Sequence, residues 1–138
     1  MTTQDVQNFF NKWNGKYLDA DGAYGYQCKD VFSQYNKDLV KAPYIVGNPI
    51  VLWNSPPSTL LKYYTKIPNT ITGVPKMGDV IIFNTGVTGH ISICTNAANM
   101  FWFTSFDQNW PSGSKCHYVS HNYIFPKVVG WFRPKSLV

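Results

Sequence analysis

A cysteine closes an acidic, turn-rich run, Asp19-Ala-Asp-Gly-Ala-Tyr-Gly-Tyr-Gln-Cys-Lys-Asp30. Beyond it, Val31, Phe32, Tyr35 and Leu39 recur at helical spacing, which predicts a helix from Gln27 to about Leu39. Cys28 then sits in the first helical turn. Unpaired N–H groups and the partial positive charge of a helix start favour an anion there, so Cys28 is a candidate nucleophile. A thiol in that role needs a base, and the base needs a third group to orient it.

His90 is the candidate base. It follows a Gly86–Gly89 turn and opens the alternating run His90-Ile-Ser-Ile-Cys94. Alternation puts His90, Ser92 and Cys94 on one strand face and Ile91 and Ile93 on the other. The apolar face belongs in a core, which leaves His90 for a cleft. Asp107 and Asn109, in Phe106-Asp-Gln-Asn-Trp110, are two residues apart at a strand end and are the candidate orienters. Either side chain can accept from an imidazole N–H and fix its tautomer. Gln27 offers an amide to a developing oxyanion, beside the Cys28 backbone N–H. His117 and His121 share a face of another predicted strand, at some distance from one another. Cys116 and His117 are strand neighbours and point oppositely, so adjacency does not make them a dyad. No Cys-x-x-Cys pair nucleates a zinc site.

The aspartates before the cysteine have a pattern of their own. Asp19, Asp21, Ala23, Gly25 and Asp30 fall on positions 1, 3, 5, 7 and 12 of a twelve-residue calcium loop, where position 7 contributes a carbonyl. Ala23 offers only its carbonyl, Tyr24 replaces the usual glycine, and Asp30 is shorter than the usual glutamate. An Asp-Gly turn followed by helix-start carboxylates accounts for the same residues. Spacing alone leaves both readings open.

These residues must be carried by elements. An amphipathic helix is predicted over residues 3–13, with Val6, Phe9, Phe10 and Trp13 on one face and Thr3 as cap. Residues 40–57, rich in proline, read as an ordered loop, and Ser58 caps a short helix through Tyr64. From Pro75-Lys-Met-Gly-Asp79 the pattern becomes strand-like: Val80–Phe83, His90–Cys94, Met100–Phe106, Cys116–His121 and Val128–Phe132. Helices first and strands second predict an α+β domain, with N-terminal helices packed on a C-terminal antiparallel β-sheet.

At 138 residues the chain is one domain's worth, residues 1–138, with no internal repeat or linker. With 44% hydrophobic and 14% charged residues it is not a disordered chain. No apolar run approaches the roughly 20 residues that span a bilayer, so no membrane insertion is expected. The N-terminus lacks the basic start and apolar stretch of a signal peptide, so any action outside a cell calls for another exit route or for a signal hidden by a fragment boundary. A net charge of +5 suits an anionic partner and ordinary solubility equally, and its scattered lysines exclude a nucleic-acid stripe. All seven acids are aspartates, which excludes His-Glu-x-x-His metalloprotease chemistry. Three cysteines leave at least one thiol unpaired within the chain; a Cys94–Cys116 bridge stays open at this level. Trp53, Trp102 and Trp110 are candidates either for a substrate groove or for the core.

As a set, the Asp19–Asp30 run, Pro75–Asp79, Gly89-His-Ile-Ser-Ile93, Asp107-Gln-Asn-Trp110 and Trp131-Phe-Arg-Pro134 resemble the CHAP domain (cysteine, histidine-dependent amidohydrolase/peptidase) of phage lysins that attack Gram-positive peptidoglycan. The motifs run in family order over essentially the whole chain. The resemblance implies a papain-like fold, Cys28 as nucleophile and His90 as base. The family's acidic orienter is usually Glu; Asp107 matches it here, and Asn109 matches the amide that follows. The resemblance also implies a structural calcium ion, with Asp19, Asp21 and Asp30 and the carbonyls of Ala23 and Gly25 as ligands. It implies amide hydrolysis in the stem peptide or cross-bridge (endopeptidase), with N-acetylmuramoyl-L-alanine amidase as the alternative. A catalytically silent calcium- and wall-binding virion module is the alternative of another class. The expected partner is Gram-positive peptidoglycan, met by a monomer that is made in a host cytoplasm or carried in a virion.

Overall fold

A computed structural model describes residues 1–22 and 25–138. Four short helices precede most of the sheet: α1 (Thr3–Trp13), α2 (Cys28–Tyr35), α3 (Pro49–Asn54) and α4 (Ser58–Tyr63). Six strands follow: β1 (Tyr64–Pro68), β2 (Val80–Asn84), β3 (His90–Ala98), β4 (Trp102–Asp107), β5 (His117–Asn122) and β6 (Lys127–Pro134). They form one sheet in the order β1-β6-β2-β3-β4-β5, and every pairing is antiparallel. The architecture is α+β and papain-like, with the helices on one face of the sheet.

Helix α1 is closed by a capping box. The Thr2 hydroxyl accepts from the Asp5 N–H at 3.2 Å, and the Asp5 carboxylate accepts from the Thr2 N–H at 2.8 Å. The cap is therefore one residue earlier than the predicted Thr3. Val6, Phe9 and Phe10 bury the apolar stripe against Tyr35 and Phe106. Helix α2 ends earlier than its sequence spacing suggests, because residues Asn36–Val40 widen into a π-helical turn. Asn36 is buried there, and its side chain bridges the Tyr64 hydroxyl and the Pro43 carbonyl.

One element replaces predicted loop, and another stands where no element was predicted. In α3 the Asn48 side chain caps the Val51 N–H at 3.0 Å, and Pro49 occupies the first helical position, where a missing N–H costs nothing. Strand β1 pairs only with β6, and its Pro68 lies at the end of this edge strand, where proline is tolerated.

Alternation sorts the sheet into two apolar layers. Ile82, Ile91, Ile93 and Phe106 meet the helices. Phe83, Cys94, Phe103 and Trp131 pack on the opposite face. Cys94 and Cys116 therefore lie in different layers, and all three cysteines are unpaired thiols, which closes the question of a bridge. Two of the sequence motifs are joined to one another here. Fully buried Asp79 takes a two-pronged hydrogen bond from Arg133, Nε to Oδ1 at 2.9 Å and Nη2 to Oδ2 at 2.8 Å. Burial raises the Asp79 pKa in spite of that pairing. No helix of the described residues is long and apolar enough to cross a membrane.

Candidate active site

The start of α2, the start of β3 and the end of β4 converge on a cleft of about 360 Å³. Gln27, Cys28, Lys29, Gly89, His90, Asn109 and Trp110 are among the residues that line it. Cys28 opens α2, so its own N–H is one of the first-turn donors without a helical acceptor. Asp30 fixes that helix start. Its carboxylate accepts from the Gln27 N–H at 2.7 Å and the Ala20 N–H at 3.1 Å, while the Asp30 N–H donates to the Gln27 carbonyl at 3.1 Å.

Gly89 sets the approach of His90. Its φ is +78°, and a Cβ there would stand 2.8 Å from the Phe83 carbonyl oxygen and 3.1 Å from Ile50, so a side chain is excluded by strain and by space. The next residue turns its imidazole onto the layer away from the helices. His90 Nε2 donates to Asp107 Oδ2 at 2.6 Å, and the Cys28 thiol faces the same ring across the cleft, near enough to raise its pKa. With Nε2 committed to the carboxylate, the nitrogen left for Cys28 is Nδ1. The Trp110 ring lies against the imidazole, 4.9 Å between centroids, and covers it from solvent. Burial opposes charge on His90 and is the largest single influence. The hydrogen bonds and charges of Asp107 and Cys28 together outweigh it, and the pKa is pushed up to about 9.

Asp107 is fully buried, yet its carboxyl is held below the usual carboxylate range. Burial pushes the other way and is overcome by hydrogen bonds from His121 and His90. The second imidazole is His121, whose Nε2 meets Oδ2 at 3.0 Å, and the Ser105 hydroxyl donates to Oδ1 at 2.5 Å. The short aspartate does reach the imidazole. Asn109 does not share that contact. It lies past the end of β4 with φ +62°, outside the period-two pattern, and its Oδ1 accepts from the Gly113 N–H at 2.6 Å. Its side chain closes a turn at the cleft edge.

Of the three tryptophans proposed for a groove, only Trp110 lines this cleft. Trp53 packs on Phe132 with Lys66 above it, and Trp102 starts β4 at the end away from Asp107. Core packing places the first, and strand register places the second. Gln27 lines the cleft beside Cys28.

Gln108 was passed over in the sequence although its neighbours were not. It is fully buried, and its amide holds both ends of the acidic loop. Nε2 donates to the Leu18 carbonyl at 2.8 Å and the Gln27 carbonyl at 2.9 Å, and Oε1 accepts from the Leu18 N–H at 2.7 Å. A polar residue between Asp107 and Asn109 reads as turn chemistry, and only tertiary contact gives it this work.

Side-chain oxygens of Asp19, Asp21 and Asp30 lie within 4.8 Å of one another. Asp30 is buried and the other two are exposed. Burial, then the negative charges of Asp21 and Asp19, raise the Asp30 pKa against its backbone hydrogen bonds. An all-oxygen set of converging carboxylates suits a hard divalent cation. Gly25 stands in the same loop with φ +72°, and Ala23 lies outside the described residues.

No family model matches the chain. It is 30% identical over 119 residues to endolysin PlyTW of Staphylococcus phage Twort, which is 79% of this chain and 24% of that protein. It is 31% identical over 100 residues to endolysin LysK of Staphylococcus phage K, covering 67% of this chain and 19% of LysK. A probable autolysin, PH, of Staphylococcus aureus is 28% identical over 116 residues, 80% of this chain and 23% of the autolysin. The chain thus spans about a quarter of the length of these curated relatives, or less. Among solved structures, wild-type endolysin LysIME-EF1 superposes with a TM-score of 0.79 at 32% identity, over 97% of this chain and 64% of that one. Ly7917 superposes with a TM-score of 0.71 at 13% identity over 97% of this chain and 63% of its own, a likeness of fold.

Proposed function

Because the chain belongs to the CHAP-type lysin domains, we propose that it hydrolyses an amide bond of Gram-positive peptidoglycan with Cys28 as nucleophile. One observation carries the reading: a single imidazole, His90, hydrogen-bonds a buried carboxylate and shares an open cleft with the Cys28 thiol. A base raised to about 9 holds its proton at neutral pH and so has one to give to a leaving amine.

In the first step the Cys28 sulfur bonds to the scissile carbonyl carbon. The developing oxyanion meets the Cys28 N–H, with the Gln27 amide as second donor. The C–N bond breaks as His90 passes its proton to the leaving amine, which gives an acyl-enzyme. Water then attacks the acyl carbon and gives a proton to His90, and the thiolate departs. Asp107 keeps the imidazole oriented and steadies its charge throughout. The scissile bond is placed in the stem peptide or cross-bridge, with the muramoyl–alanine amide as the alternative.

The acidic cluster fits a calcium ion, which Asp19, Asp21 and Asp30 would hold, with the carbonyls of Gly25 and Ala23 as the further ligands that the sequence spacing implies. Such an ion supplies charge neutralisation and fixes the start of α2; the bond-breaking belongs to the side chains alone.

The test is loss of turbidity of purified Gram-positive walls. Wild type is expected to clear them and Cys28→Ala to leave them intact; equal clearing by both sinks the mechanism. Mass spectra of the released fragments separate endopeptidase from amidase. For the ion, chelation is expected to lower the melting temperature of the wild type and to leave Asp21→Ala unmoved. A wild type indifferent to chelator removes calcium from the proposal.

A further inference from the structure

The proposed mechanism makes no use of His121. It is 5% exposed, and its ring lies between Phe83 and Phe103 with centroids 4.8 and 5.4 Å away. Its Nε2 ends 3.0 Å from the same Asp107 oxygen that serves His90 at 2.6 Å. Two imidazoles thus divide one carboxylate oxygen, while Ser105 holds the other. A carboxylate oxygen is an acceptor, so both ring nitrogens facing it must be N–H donors.

We propose that His121 is a positioning residue for the reaction: it holds Asp107 from behind and takes up part of the charge that would otherwise fall on His90. The inference rests on the functional reading above. A residue that only filled the layer between Phe83 and Phe103 would need no polar atom there, and a phenylalanine would serve. A short aspartate anchored by Ser105 alone has one oxygen free to follow the His90 ring. The second imidazole fixes that oxygen between two donors. It also moderates His90. A neutral N–H dipole and a full imidazolium at this position act in the same direction, each making a proton on His90 less favourable. Among the described residues, the titratable groups facing His90 are Cys28 from α2, Asp107 from β4 and His121 from β5.

The chain has three histidines, so nitrogen-15 histidine labelling resolves them all. In the wild type, His121 is expected to carry its proton on Nε2; a bare Nε2 overturns the proposal without any substitution. His121→Phe keeps a ring in the layer and removes the donor. The His90 titration is then expected to move up by about half a unit or more, and the alkaline limb of wall lysis to move with it. His121→Gln places an amide N–H where Nε2 stood and is expected to return the His90 titration to within about 0.2 unit of wild type. No shift in His121→Phe, a downward shift, or an equal shift in both variants overturns the proposal. The resonance titration reads the Asp107 contact directly, so it stands apart from the functional reading, which fails instead if the wild type does not lyse walls.

Discussion

The charge on Asp107 can be removed with little change of shape. In Asp107→Asn the amide oxygen replaces Oδ2 and still accepts from both imidazoles. The amide nitrogen replaces Oδ1, and the Ser105 hydroxyl turns to accept from it. Geometry is kept and one buried negative charge is lost. In the native protein the His90 pKa rises from 6.5 to about 9 against the pull of burial. That is about 2.5 units, or about 3 kcal/mol of preference for the imidazolium. Asp107 and Cys28 each contribute a hydrogen bond and a charge to it. An even division gives Asp107 half, and burial is then left less opposed, so the alkaline limb of activity should fall by about one to two pH units. Near pH 8 this turns a ring that is about nine-tenths protonated into one that is between about a half and about a tenth protonated, a loss of about two- to tenfold. Near pH 6 the variant should stay close to wild type. The assay is the initial rate of turbidity loss at fixed ionic strength, read as the ratio of variant to wild type at each pH, which cancels titration of the wall itself. A ratio that is flat with pH refutes the argument that the Asp107 charge keeps the proton on His90.

Stability should follow the same group. The folded His90 pKa lies above its unfolded value, so its contribution is complete below about pH 6.5 and is lost as pH rises through about 9; urea midpoints should fall over that window, and a rising midpoint contradicts the sign. Arg133→Met strands Asp79 in a fully buried site and should cost about 3–5 kcal/mol by urea unfolding, whereas a cost below about 1 kcal/mol would show that the carboxyl takes up a proton or a new partner cheaply. Gln108→Leu leaves the Leu18 and Gln27 backbone groups without their partners, and is expected to cost about 2 kcal/mol or more and to speed hydrogen exchange at Leu18; unchanged exchange there refutes the staple.

The periodicity of β3 disclosed which way His90 faces, because Ile91 and Ile93 had to face the helices. The apolar stripes of α1 and α2 placed those elements for the same reason. Asn109 misled, because the two-residue repeat holds only within a strand, and β4 ends at Asp107. His121 was visible as a histidine on a strand face, but its meeting with Asp107 depends on the β4–β5 pairing and the packing of two phenylalanines, which no local pattern encodes. Gln108 is the same case: a side chain whose partners lie 90 and 81 residues away in the chain. Helix α3 was missed for a different reason. Prolines counted as breakers, although one of them stood where a helix begins.

The Gln108 staple also governs how this domain can vary. One buried amide clasps Leu18 and Gln27, so the acidic loop leaves and re-enters the body at a single fixed doorway. The clasp itself binds backbone groups only and makes no demand on the side chains between those two residues, while the loop adds the Ala20 N–H as a donor to Asp30. The loop is thus a natural place for diversification. Segments with other surface contacts can be grafted there, by evolution or by design, provided that they keep a donor to Asp30 where the Ala20 N–H now stands.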